Sequence, residues 1–201
     1  MLELNNIPNF YKKGEILLIN TKRVFVVLGY GCDKGDLDLL AYFRFVASLA
    51  KGLNGPCFIA CGGFTNPSLN NVSEALIIEK AIELEMDSLV EVIKEERSIT
   101  TIENIRNSLP IIEGIIHSNL RYEFEITVVC DSIRFLKVWL LSRWIYKYLD
   151  VRVNVAGFDF KRSKKEILRQ IPATFLEILF YFSSRIERFF RDRRAKKWRI
   201  E

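Results

Sequence analysis

The chain has 201 residues, of which 49% are hydrophobic and 27% are charged, so it can bury one substantial core. Its formal net charge is +5, and residues 185–201 account for all of it, with eight basic and three acidic side chains. The other 184 residues are neutral overall, which does not favour a nucleic-acid-binding domain.

Residues 1–15 lack a continuous apolar stretch behind a basic start, so they do not predict a secretion signal. The longest apolar stretches elsewhere are interrupted by charged residues and do not reach the roughly 20 apolar residues that span a bilayer. We therefore expect a cytoplasmic protein.

Apolar runs alternate with helical patterns along the chain, as in βαβ units. Strands are predicted at Val24–Leu28, Cys57–Cys61, Leu89–Ile93, Glu125–Cys130 and Val151–Ala156. Helices are predicted between them at 36–51, 73–84, 101–117 and 132–149. The expected fold class is α/β, a three-layer Rossmann-like arrangement with a mostly parallel five-stranded sheet and helices on both faces.

The domain organisation follows from the same pattern. A Rossmann-like domain is expected over residues 1–170, with its core at 24–157. Residues 171–201 form a C-terminal extension, in which apolar and basic residues share the spacing of an amphipathic helix. This predicted helix either packs on the domain or rests on a membrane surface or a partner.

The four cysteines lie in or beside predicted strands and include no CxxC pair, so we interpret them as buried apolar residues in a reducing compartment. They are Cys32, Cys57, Cys61 and Cys130. A zinc site is not predicted, because the cysteine spacings fit none and the chain has a single histidine, His117. That single histidine also leaves little room for a histidine-based catalytic triad.

The first predicted strand runs into the sequence VVLGYGCDKGD, which places Gly29 and Gly31 where the strand turns towards a helix. A backbone without side chains can approach a ligand closely at such a turn. The dinucleotide fingerprint GxGxxG is incomplete, because Lys34 occupies the third glycine position. Turn geometry alone is an equally good explanation of these glycines.

The second predicted strand is followed by Gly62 and Gly63, and a polar loop then leads to a helix that begins near Ser73 and Glu74. This loop is either a lid over a phosphate or sugar, or a solvated connection. Ser73 as a helix cap and Glu74 as a partner of the helix dipole would suffice as a structural explanation. The functional alternative places Glu74 beside ligand hydroxyls or a cation.

A third polar cluster follows the third predicted strand. It contains Glu96, Ser98, Thr101, Glu103 and Asn104. Thr100 and Glu103 have the spacing of a capping box, which explains Glu103 without a ligand. It does not explain the other polar groups near the same helix start.

The fourth predicted strand ends at Asp131, and Arg134 and Lys137 follow, three residues apart and hence on one helix face. Arginine suits a bidentate grip on carboxylate or phosphate, and Asp131 could hold a ribose, a metal or the guanidinium itself. An ion pair between Asp131 and Arg134 at the helix start is the structural alternative.

Taken together, these motifs resemble the domain-of-unknown-function 218 family, which includes SanA-like and YdcF-like proteins. The resemblance covers about Val24 to Gly157. Its matching residues are Gly29, Gly31, Gly62, Gly63, Ser73, Glu74, Glu96, Ser98, Thr101, Glu103 and Asn104. Many family members carry T-S-x-x-H-x-x-R after the fourth strand, where this chain has Arg134 and Lys137 in place of the histidine and the arginine.

The resemblance implies a cleft at the carboxyl ends of the strands and a role in envelope metabolism or in binding nucleotide-like ligands. The substitution by Arg134 retains positive charge but removes the obvious proton-transfer group. We therefore expect binding of a phosphorylated or nucleotide-like small molecule, with group transfer as one possible activity and no catalytic residue assigned. A divalent cation is a possible cofactor, held by Glu74, Glu103 or Asp131.

The alternative expectation belongs to a different class of function. A non-catalytic binding or scaffold module would act through the basic C-terminal helix, with residues 185–201 contacting a membrane surface or a protein partner. The sequence does not predict an oligomeric state, and no nucleic-acid partner is expected.

Overall fold

The computed structural model describes residues 21–29, 37–65, 71–86 and 90–161. Gly31, Cys32 and the predicted C-terminal basic helix at 171–201 lie outside these residues, as does the domain boundary predicted at residue 170.

Five strands and four α-helices alternate along the described residues. The strands are β1 (Thr21–Leu28), β2 (Cys57–Cys61), β3 (Glu91–Glu95), β4 (Glu123–Asp131) and β5 (Arg152–Phe158). The helices are α1 (Leu37–Ala50), α2 (Glu74–Glu85), α3 (Thr101–Ser118) and α4 (Phe135–Ile145). One turn of 3-10 helix at Ser132–Arg134 joins β4 to α4.

The strands form one sheet in the order β3-β2-β1-β4-β5, and every neighbouring pair is parallel. This confirms the predicted Rossmann-like α/β fold, with a sheet that is wholly parallel over the described strands. The chain builds outwards from β1 to β3 and then crosses back to β4 on the other side of β1. The point where the strand order reverses therefore lies between β1 and β4, and in such sheets ligands bind at the carboxyl ends of the strands near it.

Helices cover both faces of the sheet, as predicted. Successive side chains of a strand point to opposite faces, so each central strand contributes apolar side chains to both cores. Val24, Val26 and Leu28 of β1 belong to the core beneath α3 and α4. Phe25 and Val27 belong to the core beneath α1 and α2. The strands nearest the centre of the sheet are accordingly almost continuously apolar.

Most predicted strand and helix bounds differ from the structure by one to four residues, and the differences at β3 and at the last helix have a clear cause. β3 begins and ends two residues later than predicted, because its register with β2 pairs Cys61 with the polar residue Glu95. β3 is an edge strand, so its side chains reach solvent and Lys94 forms an ion pair with Glu79 at 3.1 Å. The last predicted helix is shorter than expected and ends at Ile145, where the Tyr146 amide donates to the Ser142 carbonyl at 2.9 Å.

None of the helices within the described ranges combines the length and the apolarity that crossing a bilayer requires.

Candidate functional site

The sequence-predicted site residues come together at the carboxyl edge of the sheet. Because the strands are parallel, the segments after β1, β2, β3 and β4 all leave the sheet at this edge. The starts of α2, α3 and α4 lie there for the same reason. All the predicted residues except Gly31, which lies outside the described residues, belong to these segments.

The Glu74 carboxylate lies against two glycines of this edge. Glu74 is only 5% exposed, and a Cβ atom added to Gly29 would overlap its Oε2 atom. A Cβ on Gly62 would lie 2.8 Å from the Glu74 Cβ, and Thr65 Oγ1 donates a hydrogen bond to Glu74 Oε1. The glycines after β1 and β2 therefore make room for a buried carboxylate of α2.

The backbone amides of the double glycine are already hydrogen-bonded. Gly62 N donates to Glu95 O at 2.9 Å and Gly63 N to Ser98 O at 2.7 Å, which joins this loop to the end of β3. The first amides of α2 donate in turn to the carbonyls of Gly63 and Gly62, at 3.0 and 2.9 Å. An anion at this edge would thus need donors other than the amides of Gly62, Gly63 and the start of α2.

The cap of α2 is joined to the third polar cluster. Ser73 Oγ accepts from Leu76 N at 3.1 Å, as an N-cap does, and donates to Glu96 Oε1 at 2.6 Å. Ser73 is therefore both a helix cap and a bridge between the segments that follow β2 and β3.

The start of α3 has the predicted cap. Thr100 Oγ1 accepts from Glu103 N at 3.2 Å, and Glu103 Oε2 accepts from Ile99 N at 2.9 Å. This arrangement resembles a capping box, although Glu103 reaches the amide one residue before the cap. A structural role accounts for these Glu103 contacts.

Two buried acceptor atoms under this cluster have no hydrogen-bond partner within the described part of the chain. They are Glu95 Oε2 and Asn104 Oδ1. The other carboxylate oxygen of Glu95 accepts from Arg97 N at 2.9 Å and from Asn107 Nδ2 at 3.2 Å. Because an unpaired buried acceptor costs about 1–3 kcal/mol, such groups often mark functional positions. Both acceptors could pair with a hydroxyl, an amine or a water molecule.

Charged residues of both signs follow β4. Asp131 is 3% exposed, caps the 3-10 turn by accepting from Ile133 N at 3.3 Å, and lies 4.0 Å from Arg134 Nε. Lys137, on the first turn of α4, is also only 3% exposed. The predicted ion pair is present, and the segment adds one further buried cation beside the carboxyl end of β4.

The described cysteines, Cys57, Cys61 and Cys130, are free and buried, as their positions in apolar predicted strands indicate. Burial, with the nearby Asp131 carboxylate, raises the pKa of the Cys130 thiol to about 12. Burial also raises the pKa of Cys57 to about 12 and that of Cys61 well above its ordinary value. Thiols held in this protonated state are poor nucleophiles and poor metal ligands.

These thiols predict a loss of stability at high pH. In the folded chain Cys57 and Cys130 keep their protons up to about pH 12, whereas in the unfolded chain they lose them above about pH 9. The unfolded state then binds fewer protons, so the free energy of unfolding falls as pH rises through this window, by up to roughly 1 kcal/mol per pH unit for each thiol. Urea unfolding at several pH values should show a shallower slope for Cys130→Ala than for the native chain, and equal slopes would contradict this explanation.

The sequence patterns did not indicate two residues that organise the edge, Tyr42 and Asn107. Tyr42 of α1 donates towards the carbonyls of Leu28 and Val129, at 3.1 and 3.2 Å, and so bridges β1 and β4 beside the point of strand reversal. Asn107 links Glu95 to Ser98 from within α3. A tyrosine on the buried face of a helix and an asparagine in a helix interior are the signals that could have indicated them.

A cavity of about 280 Å³ lies at the opposite edge of the sheet, where the strands begin. Its lining includes Lys22 and Arg23, which already pair with Glu91 and Glu125 at 3.8 and 3.0 Å. No group of three or more His, Cys, Asp or Glu side chains placed to hold a metal ion occurs within the described ranges.

The fold defines a Rossmann-like α/β protein whose polar side chains cluster at the edge of the sheet where that fold usually binds ligands. Comparison of the chain with protein-family models, with curated proteins and with solved structures finds no match.

Proposed function

We propose that this protein binds a phosphorylated or nucleotide-like small molecule at the carboxyl edge of its sheet. The observation that carries the proposal is the cluster of Asp131, Arg134 and Lys137 at the end of β4, beside the point where the strand order reverses. Its two cations and one carboxylate give the segment a net positive charge at a position where α/β proteins bind ligands. The sequence resemblance to the domain-of-unknown-function 218 family supports the same proposal.

The ligand's polar groups would divide between two parts of the edge. A phosphate would lie beside Arg134, because a guanidinium can bind two of its oxygens at once. Hydroxyl or amino groups would face the unpaired acceptors Glu95 Oε2 and Asn104 Oδ1, since those atoms require donors. A sugar phosphate or a nucleotide carries both kinds of group, whereas inorganic phosphate carries only the first.

The proposal is limited to binding. Glu74 and Glu103 have structural contacts in this site, and none of the described thiols is activated. Group transfer would need a ligand that brings its own reactive groups, or a cation held jointly by protein and ligand. The alternative role at a membrane or a protein partner through residues 185–201 stays a prediction, because those residues lie outside the described part of the chain.

A thermal-shift screen tests the binding proposal, with nucleotides, sugar nucleotides, sugar phosphates and inorganic phosphate, each with and without magnesium. A ligand at 100 times its dissociation constant stabilises by about 2.7 kcal/mol, which for a domain of this size raises Tm by about 5–10 °C. In Arg134→Gln the same ligand should bind roughly 10- to 100-fold more weakly, because a charge-assisted contact is lost.

Arg143→Gln is the matched control, since it removes the same charge from an exposed position of α4. Its ligand-induced shift should equal that of the native chain. The proposal is wrong if Arg134→Gln keeps the full shift, or if no phosphorylated compound shifts the native chain.

A further inference from the structure

The solvent-facing side of α4 and the turn after it are apolar. Six of the eleven large hydrophobic side chains that are exposed among the described residues lie between positions 135 and 148. We call them the α4 aromatic face, which consists of Phe135, Leu136, Trp139, Leu140, Trp144 and Tyr148. Their exposed fractions range from 36% for Trp139 to 84% for Tyr148.

The opposite side of α4 is also apolar, because Val138 and Leu141 pack into the core. A helix that is apolar on both sides is normally covered on both. α3 provides the comparison within the same layer, since its exposed positions include Arg106, Glu113 and His117. Within the described part of the chain, exposed apolar side chains are thus concentrated on α4, and contiguous exposed apolar surface of this kind marks an interaction site.

The charges around the α4 aromatic face indicate what covers it. Residues 132–149 contain four basic side chains and no acidic one. Two of the four accompany the aromatic rings, with the Arg143 guanidinium 5.3 Å from the centre of the Trp139 ring and Lys147 Nζ 4.5 Å from that of Tyr148. Aromatic rings interleaved with Lys and Arg are typical of surfaces that lie at the boundary between lipid headgroups and acyl chains.

We propose that the α4 aromatic face docks on an anionic membrane surface. A second copy of the chain is a poorer occupant, because two such faces would bring basic residues together. Residues 162–201 of the same chain are also basic, with twelve Lys and Arg against five Asp and Glu. Their positive charge has the same sign as the charge around the α4 aromatic face, so it disfavours docking there, but it complements anionic lipid. An apolar face and a basic segment together supply the two signals that stable membrane attachment requires.

Co-sedimentation of the full chain with lipid vesicles tests this docking. The native chain should bind vesicles that mix phosphatidylcholine with phosphatidylglycerol, bind pure phosphatidylcholine far less, and lose affinity as ionic strength rises. The affinity of the variant Leu136→Glu/Leu140→Glu for anionic vesicles should be lower by roughly tenfold or more, because it removes apolar contact area and adds repulsion from the anionic surface.

The matched control is Leu84→Glu/Leu120→Glu, which makes the same change at two leucines exposed elsewhere on the domain. This control should bind vesicles like the native chain, apart from the small effect of its added charge. In Trp198→Phe, the fluorescence of Trp139 and Trp144 should shift to shorter wavelength when anionic vesicles are added, as it does for indoles entering lipid.

Two results would overturn the proposal. The first is no binding of the native chain to anionic vesicles; if Leu136→Glu/Leu140→Glu then also loses self-association, measured by light scattering, the face is instead a contact between copies. The second is equal vesicle binding by the native chain and Leu136→Glu/Leu140→Glu, which would assign the contact to basic residues elsewhere in the chain.

Discussion

Gly63→Ala is expected to lower the free energy of unfolding by about 3 kcal/mol or more, because overpacking against a rigid backbone leaves no low-cost adjustment. The added Cβ would lie 2.7 Å from the Glu96 carbonyl oxygen and 2.8 Å from that of Ser98. Gly62→Ala should cost a similar amount for a different reason. Its φ of +148° is adopted almost only by glycine, and the new Cβ would press on Glu74.

The same substitution elsewhere in the chain gives the controls. Gly55→Ala should cost only about 1 kcal/mol, because its φ is +60° but no atom lies within 4 Å of the added Cβ. Gly114→Ala, within α3 and in open space, should stabilise by up to about 1 kcal/mol through helix propensity. Denaturant unfolding of the four variants measures the series, and a Gly63→Ala protein as stable as Gly55→Ala would contradict the close packing described between the segments that follow β2 and β3.

Asp131→Ala is the second large effect, with an expected loss of about 3 kcal/mol. The substitution removes the carboxylate that lies 4.0 Å from Arg134 Nε and caps the turn after β4, and it leaves the partly buried Arg134 guanidinium without this ion pair. Removing one partner from a buried ionic arrangement costs more than the arrangement itself contributes, because the remaining charge is poorly solvated.

Two comparisons separate the causes. Asp131→Asn keeps an oxygen that can accept from Ile133 N, so it should lose less stability than Asp131→Ala. Asp150→Ala removes an exposed carboxylate and should change stability by less than about 0.5 kcal/mol. If Asp131→Ala unfolds at the same urea concentration as Asp150→Ala, the Asp131 carboxylate stabilises neither Arg134 nor the turn after β4.

Sequence patterns predicted the fold well because its central strands are buried on both faces. β2, with the sequence CFIAC, has the predicted bounds residue for residue, since a short apolar run between two turns leaves few other positions for the ends of a strand. β3 was placed two residues too early because it lies at the sheet edge, where Lys94 and Glu95 interrupt the apolar pattern. Pairing with a neighbouring strand, which local sequence does not encode, determines where such a strand ends.

The sequence predicts that the candidate site residues gather at the carboxyl edge of the sheet, but it does not predict their contacts with one another. Gly29, Gly62 and Glu74 each had a sufficient local explanation in the sequence, as a turn, a loop and a helix start. In the structure they form one feature, because the Glu74 carboxylate occupies the space that the two glycines leave. The residues that contact one another here are far apart along the chain, so the need for glycine at positions 29 and 62 follows from contacts that only the fold creates.

The α4 aromatic face shows the same limit. Apolar spacing predicted a helix from Ser132 onwards, and the helix is present from Phe135. The sequence does not specify which apolar side packs on the sheet, because both sides of this helix are apolar. Only the packing of Val138 and Leu141 against the core reveals that the tryptophans are the residues left exposed.

Hydrogen exchange with and without the phosphorylated compound that gives the largest thermal shift tests the proposed ligand position most directly. Binding at the carboxyl edge should slow the exchange of amides after β1, in 62–65, in 95–104 and in 131–137, because ligand contact suppresses local opening. Amides that line the cavity at the opposite edge, around Lys22, Asn54 and Tyr122, should exchange as before. Protection confined to that cavity, or no protection at either edge, would contradict a ligand site at the carboxyl ends of the strands.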